Sequence, residues 1–257
     1  MKGPVESYAT AQQVFAAGLV FSRLGGIIML IPGLGEAFIP PRIRLAFALS
    51  MSLMMFPLVA AAAPPLPGDA AGVALAVIKE IAIGLMIGGI LRLFMTSLAS
   101  AGEIVSIQTT LSFAQTANPM QAQPSTTIGT FLGLIGIVLI FATNLHHLFI
   151  AAIIKSYDLF PFTRNMPLAD AGQLAVQTVG RSFGLGLQLA APVVVFSLIF
   201  NIATGLVGRV MPQFQVFFVA TPLMLILGLS IFALSLGVIG MVWVDRYREV
   251  IGTFAPS

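Results

Sequence analysis

Apolar side chains run along this chain in long unbroken stretches, separated by short clusters of Pro, Gly and Arg. A helix needs roughly 20 apolar residues to cross a bilayer. Stretches of about that length lie at Val14–Ile31, Leu45–Ala63, Val73–Leu91, Ile128–Ile154, Phe183–Val207 and Phe214–Val244. A membrane barrel would show apolar and polar residues in alternation, and these runs are continuous. The pattern therefore predicts an all-α, hairpin-rich, membrane-associated protein with about six long apolar helices. Leu93–Ala114 is also apolar, but it carries Glu103, Gln108 and several Ser and Thr, and reads as a helix facing protein. Breaks fall at Pro32-Gly33, Pro40-Pro41, Pro64-Pro65-Leu66-Pro67-Gly68, Asn118-Pro119, Pro161 and Pro212.

Charge confirms the solvent. The chain has twelve Lys and Arg and nine Asp and Glu in 257 residues, with none between Glu103 and Lys155 or between Arg209 and Asp245. Soluble domains put about a quarter of their residues to charged use, so no soluble domain is visible. The net charge of +3 is scattered and forms no nucleic-acid patch. It reads as anchoring at the interface with membrane lipid. Cysteine is absent, which removes disulfides and thiolate chemistry. Arg23 interrupts the stretch where a cleaved leader would be clean, so the first helix is expected to stay. Loop charges do not decide the orientation: either a helix is miscounted, or some segments pack within an assembly instead of crossing a bilayer.

Catalytic constellations are missing. His146 and His147 are adjacent, so they point about 100° apart on a helix and suit one metal ion poorly. They read as interior or helix-end histidines. No His-Glu-x-x-His, Gly-x-Ser-x-Gly, phosphate loop or dinucleotide fingerprint occurs. No catalytic, metal or cofactor-binding residue is assigned, and the chain reads as a non-enzyme.

Other patterns point to assembly and conduction. Glu80, Gly84, Gly88 and Arg92 recur every four residues, a stripe about 18 Å long suited to close helix packing. Gly129/Gly133 and Gly180/Gly184 repeat that spacing. The segment from Gln108 to Thr127 holds four glutamines, Asn118 and two prolines without a charge. Facing lipid it would be costly, so it lines a cavity or faces water. Phe113 and Met120 within it suit apolar stoppers in a constriction. A second polar trail, Gln173, Gln177, Arg181 and Gln188, leads into the next apolar run; Asn201 follows inside that run, and Pro192 and Pro222 are expected to interrupt the last two helices. Trp243 and Tyr247, followed by Arg248, read as an interface anchor.

The turn Arg209-x-x-Pro212-Gln213-x-x-Val216-Phe217 is similar to one in the FliR family of flagellar export-gate proteins and their injectisome counterparts. The resemblance extends over essentially the whole chain. It includes Ala101-Gly102-Glu103 with Gln108, then Leu111-Ser112-Phe113-Ala114 and Pro119. His146, Ser156, Tyr157 and Pro161 also fit, as does Pro40-x-Arg42-x-Arg44. Asn118, Thr110 and Gln215 depart from the Asp, Gly and Asn usual in that family.

The resemblance implies a FliP-like region over 1–180 fused to a FliQ-like helical hairpin over 181–257. It also implies one copy of the chain in a ring with FliP-like and FliQ-like subunits, beside a FlhB-like component, at the flagellar basal body in the bacterial inner membrane. Unfolded exported proteins would thread the pore. Gln108, Leu111, Phe113, Gln115, Asn118, Pro119 and Met120 would form its plug. Glu80, Gly84, Gly88, Arg92, Arg209, Pro212, Gln213 and Phe217 would serve helix packing or partner contacts. An injectisome export-gate subunit and a small-molecule secondary transporter are the rival readings; the transporter lacks the internal repeat it would be expected to show.

Overall fold

The computed structural model describes residues 4–112, 126–162, 168–211 and 215–252. Among these residues the regular structure is entirely helical. Seven α-helices follow in order: α1 Pro4–Leu30, α2 Pro41–Val59, α3 Ala70–Gln108, α4 Thr127–Ala142, α5 Leu145–Leu159, α6 Leu168–Val210 and α7 Val216–Gly252. A single 3-10 turn, Ala60–Ala62, follows α2. Among the described residues five helices have the length and apolar composition to cross a membrane, or six if α4 and α5 are counted as one broken span. At 1.5 Å per residue, α3 (39 residues), α6 (43) and α7 (37) are each about 55 Å or longer, well beyond a hydrocarbon core of roughly 30 Å. Parts of all three must therefore lie outside any bilayer they cross.

Three expectations need correction. Val73–Leu91 and Leu93–Ala114 were expected as separate elements, but α3 runs unbroken from Ala70 to Gln108, because no Pro or Gly-rich break separates them. Ile128–Ile154 is expected to be one helix and is two. Asn144 adopts a left-handed conformation (φ 58°), which Asn tolerates well, and Thr143 turns its hydroxyl back to Leu139 O at 2.7 Å. Pro192 and Pro222 do not break their helices: α6 and α7 continue through both.

The contacts divide the chain into two compact units. One comprises 1–93, 144–178 and 248–257, the other 94–143 and 179–247. In the first unit α2 packs on α1, and α1 lies against the first part of α3. That contact is unusually close. A methyl group at Gly88 would sit 2.8 Å from Ile27 O, one at Gly26 would sit 3.0 Å from Ile81 O, and one at Gly84 would overlap Arg23 O. Constant sequence offsets at Gly84 and Gly88 mean that the two helices run parallel. The Gly84/Gly88 stripe thus has its partner within the chain, and the partner is α1. Leu19, Val20, Leu24, Ile27 and Ile28 of α1 and Ile83, Ile87 and Leu91 of α3 are buried in this unit.

In the second unit the C-terminal part of α3 is the central element. α4 crosses it where Gly102 and Gly129 meet backbone to backbone, and Gly136 lies over Leu98 and Met95. α6 runs parallel to it, with Gly186 on Ser97 and Ser197 on Gln108; α7 runs antiparallel, with Gly228 on Thr109 and Trp243 on Ser97. Gly133, Gly180 and Gly184, by contrast, face open space.

Trp243 and Tyr247 are fully buried and therefore do not anchor an interface. Their rings stack on each other at 4.9 Å, Tyr247 stacks on Phe94 at 5.2 Å, and the Trp243 N–H donates to Ser97 Oγ at 3.2 Å. The sequence pattern Trp-x-x-x-Tyr puts both rings on one helical face, and that face meets α3.

Gly84→Ala is expected to lower stability by about 1–3 kcal/mol, since the added methyl meets backbone that cannot move aside. Gly18→Ala, where the space is open, is expected to be neutral. Thermal unfolding of both purified variants in detergent checks this.

Candidate functional site

Two polar clusters stand out in an otherwise apolar molecule, one in each unit. The first is built on Arg23, the only charged residue in the apolar stretch of α1. It is fully buried, as is Glu80 on α3. Arg23 Nε donates to Glu80 Oε2 at 2.6 Å. Its two terminal nitrogens donate to Ser156 O at 2.9 Å and Phe160 O at 2.8 Å. These carbonyls belong to the end of α5, where the helix dipole is negative; Ser156 O also accepts the Phe160 N–H at 2.9 Å. The guanidinium lies 4.2 Å from the Tyr157 ring centroid and 5.3 Å from that of Phe162. Lys79, beside Glu80, donates to Phe162 O at 2.6 Å. Two cations thus hold the α5 end and the turn after it, and one carboxylate balances the buried guanidinium. Only arginine can serve carboxylate and two carbonyls in one plane.

Close helix approach makes the cluster possible. Arg23 lies one turn before Gly26, at the level where Gly84 lets the α1 and α3 backbones touch. The far end of the stripe is also tied within the unit: Arg92 donates to Gly35 O at 3.1 Å and lies 3.8 Å from Glu36.

The second cluster surrounds the two ends of the segment expected to form the plug. Gln108, the last residue of α3, accepts the Ser197 hydroxyl at 2.6 Å on α6, and Asn201 donates to Ser197 Oγ at 3.3 Å. Thr109 is buried against Gly228 of α7 and bonds back to Val105 O at 2.8 Å. Thr110 follows with φ 62°, a left-handed conformation that disfavours a β-branched residue. A Gly would adopt this conformation without cost. On the returning side Thr126 caps α4 by accepting the Gly129 N–H at 3.1 Å, and Gly129 rests on Gly102 and Ala99. Both ends are therefore bound to α3.

Of the expected plug residues, Gln108 and Leu111 are described, and Phe113, Gln115, Asn118, Pro119 and Met120 lie outside the described residues. Pro212 and Gln213 do too. Arg209 is exposed near the end of α6, and Phe217 is the second residue of α7. Gln173, Gln177, Arg181 and Gln188 form an exposed line along α6. His146 and His147 lie in the first turn of α5 with ring centroids 4.2 Å apart. Arg23, Lys79, Ser197 and Thr126 were not singled out as site residues from the sequence. A lone arginine inside an apolar helix is itself a signal that a buried acceptor awaits it.

Removing Arg23 as Arg23→Leu is expected to cost about 3–5 kcal/mol, because Glu80 is left buried and uncompensated and the bonds to Ser156 O and Phe160 O are lost. Glu80→Gln keeps an acceptor and is expected to cost less. Unfolding midpoints of the two variants rank them. Thr110→Gly is expected to raise stability by about 1 kcal/mol by removing the left-handed strain, whereas Thr110→Val does not, and the same measurement separates them.

Comparison with known proteins places these features in a family. Residues 14–250 match the family described as bacterial export proteins, family 1. The chain is similar to flagellar biosynthetic protein FliR of Caulobacter vibrioides, with 61% identity covering 97% of this chain and 100% of that protein. FliR of Aquifex aeolicus is 28% identical over 92% of this chain and 91% of its own length, and FliR of Escherichia coli is 27% identical over 91% and 88%. The matched span includes Arg23, Glu80, the two ends of the uncharged segment and the hairpin of α6 and α7, and the chain belongs to the bacterial export protein family 1.

Proposed function

We propose that the chain is a FliR-type subunit of the flagellar type III protein export gate in the bacterial inner membrane at the basal body. The observation that carries the reading is the 61% identity to a FliR protein along that protein's entire length. One copy would close a helical ring with FliP-like and FliQ-like subunits, next to a FlhB-like component, around a channel for unfolded flagellar proteins. Residues 1–180 would be the FliP-like part and 181–257 the FliQ-like hairpin, with α6 continuous across the division. The role is conduction and not catalysis.

Within this reading the uncharged segment after Gln108 is the plug. A conduit that passes many sequences needs weak contacts with each, and Gln, Thr, Phe and Met supply them without a fixed charge. The geometry around it supports the same role. Gln108–Ser197–Asn201 holds the departing end, Thr126 with Gly129 holds the returning end, and both ends rest on one helix. Anchored ends allow the middle to yield while the helices stay in place.

Deletion of 111–123 is expected to leave the protein assembled and to make the membrane leak ions or small solutes. Solute-flux measurements on cells or vesicles carrying the variant check this. Normal impermeability in a stably assembled variant would rule out the plug.

A further inference from the structure

The C-terminal part of α3 carries a face that the described elements of its unit leave largely open, with Ser100 at its edge against Gly186 of α6. Thr96, Ser100, Glu103 and Ile107 follow at intervals of three and four residues, so they line one side of the helix over about 16 Å. Thr96, Glu103 and Ile107 are exposed, Ile107 at 63%, and Ser100 is half-buried. The opposite side is occupied, since Ala101, Val105 and Ser106 are buried and Gly102 touches Gly129. Glu103 has no hydrogen bond or ion pair among the described residues.

An unpaired carboxylate here is out of character with its surroundings. The next charge along the chain is Lys155, and the exposed residues of this unit are dominated by Ile, Leu, Val and Phe. A carboxylate facing hydrocarbon is costly. Water is a poor match for the same face, because Ile107 protrudes one turn beyond. A small hydroxyl residue, Thr96, one apolar knob and one acid together fit a helix–helix contact that contains a cation.

We propose that this face docks against a helix of a different export subunit, with a Lys or Arg of that helix paired to Glu103. The inference rests on the gate reading above, which supplies the neighbour, and it adds the contact surface and its charge. The pair would lie about one and a half turns before Gln108, so the neighbour would brace the helix that carries the plug.

Site-specific photo-crosslinking tests this in the full chain within native membranes. A benzophenone amino acid replaces Ile107, which leaves Glu103 in place, and a second variant carries it at Leu234 on α7, a position 86% exposed. The expected result is an adduct from position 107 to another export subunit, mapping within about one turn of a Lys or Arg. Glu103→Lys should then abolish motility, and an acidic residue at the mapped cation should restore it. Adducts from position 107 to a second copy of this chain, to an exported protein or to lipid alone would overturn the proposal. If position 234 reaches another export subunit and position 107 does not, the Glu103 contact fails and the gate reading stands. If neither does, the gate reading itself fails.

Discussion

Arg23 is the constraint on which the first unit depends. Burying a guanidinium in an apolar molecule is tolerable only if a carboxylate lies close and every strong donor finds an acceptor. Both conditions demand tight geometry. Glu80 comes within 2.6 Å because glycines at 26, 84 and 88 let α1 and α3 approach until their backbones touch. The other donors reach two carbonyls at the negative end of the α5 dipole, Ser156 O and Phe160 O. One side chain therefore sets the spacing of two helices and the position of a third. Lys79 extends the hold to Phe162, just before the chain enters α6.

The second unit reaches rigidity by other means. Its helices pack through glycine contacts and an aromatic stack of Phe94, Tyr247 and Trp243, with serine and glutamine providing the few polar bonds. The uncharged segment leaves from this framework and returns to it. Thr110 is held in a left-handed conformation between a buried Thr109 and the start of that segment, so strain sits where α3 ends.

Much of this was legible in the residues. Continuous apolar runs and scarce charge led to an all-helical membrane chain, and the Gly84/Gly88 spacing led to close helix packing. The family resemblance marked Thr110 as a departure from an expected Gly, and its φ of 62° is a conformation that Gly adopts without strain. Other features resisted. The break at Asn144 was hidden because Thr143-Asn144 interrupts hydropathy too weakly to register, although Asn is the residue best suited to the left-handed turn there. Trp243 and Tyr247 have the composition of an interface belt, and only the helix that meets them reveals a core. The Arg23–Glu80 pair spans 57 residues of sequence, and no local pattern reports a contact at that range.

The central claim is that this chain works as one part of a hetero-oligomeric protein-export gate. Affinity purification of the tagged chain from native membranes in mild detergent, followed by mass spectrometry, tests it most directly. The account predicts a large stable particle containing FliP-like and FliQ-like subunits. A lone monomer or a self-oligomer, under conditions in which other membrane complexes survive, would contradict it.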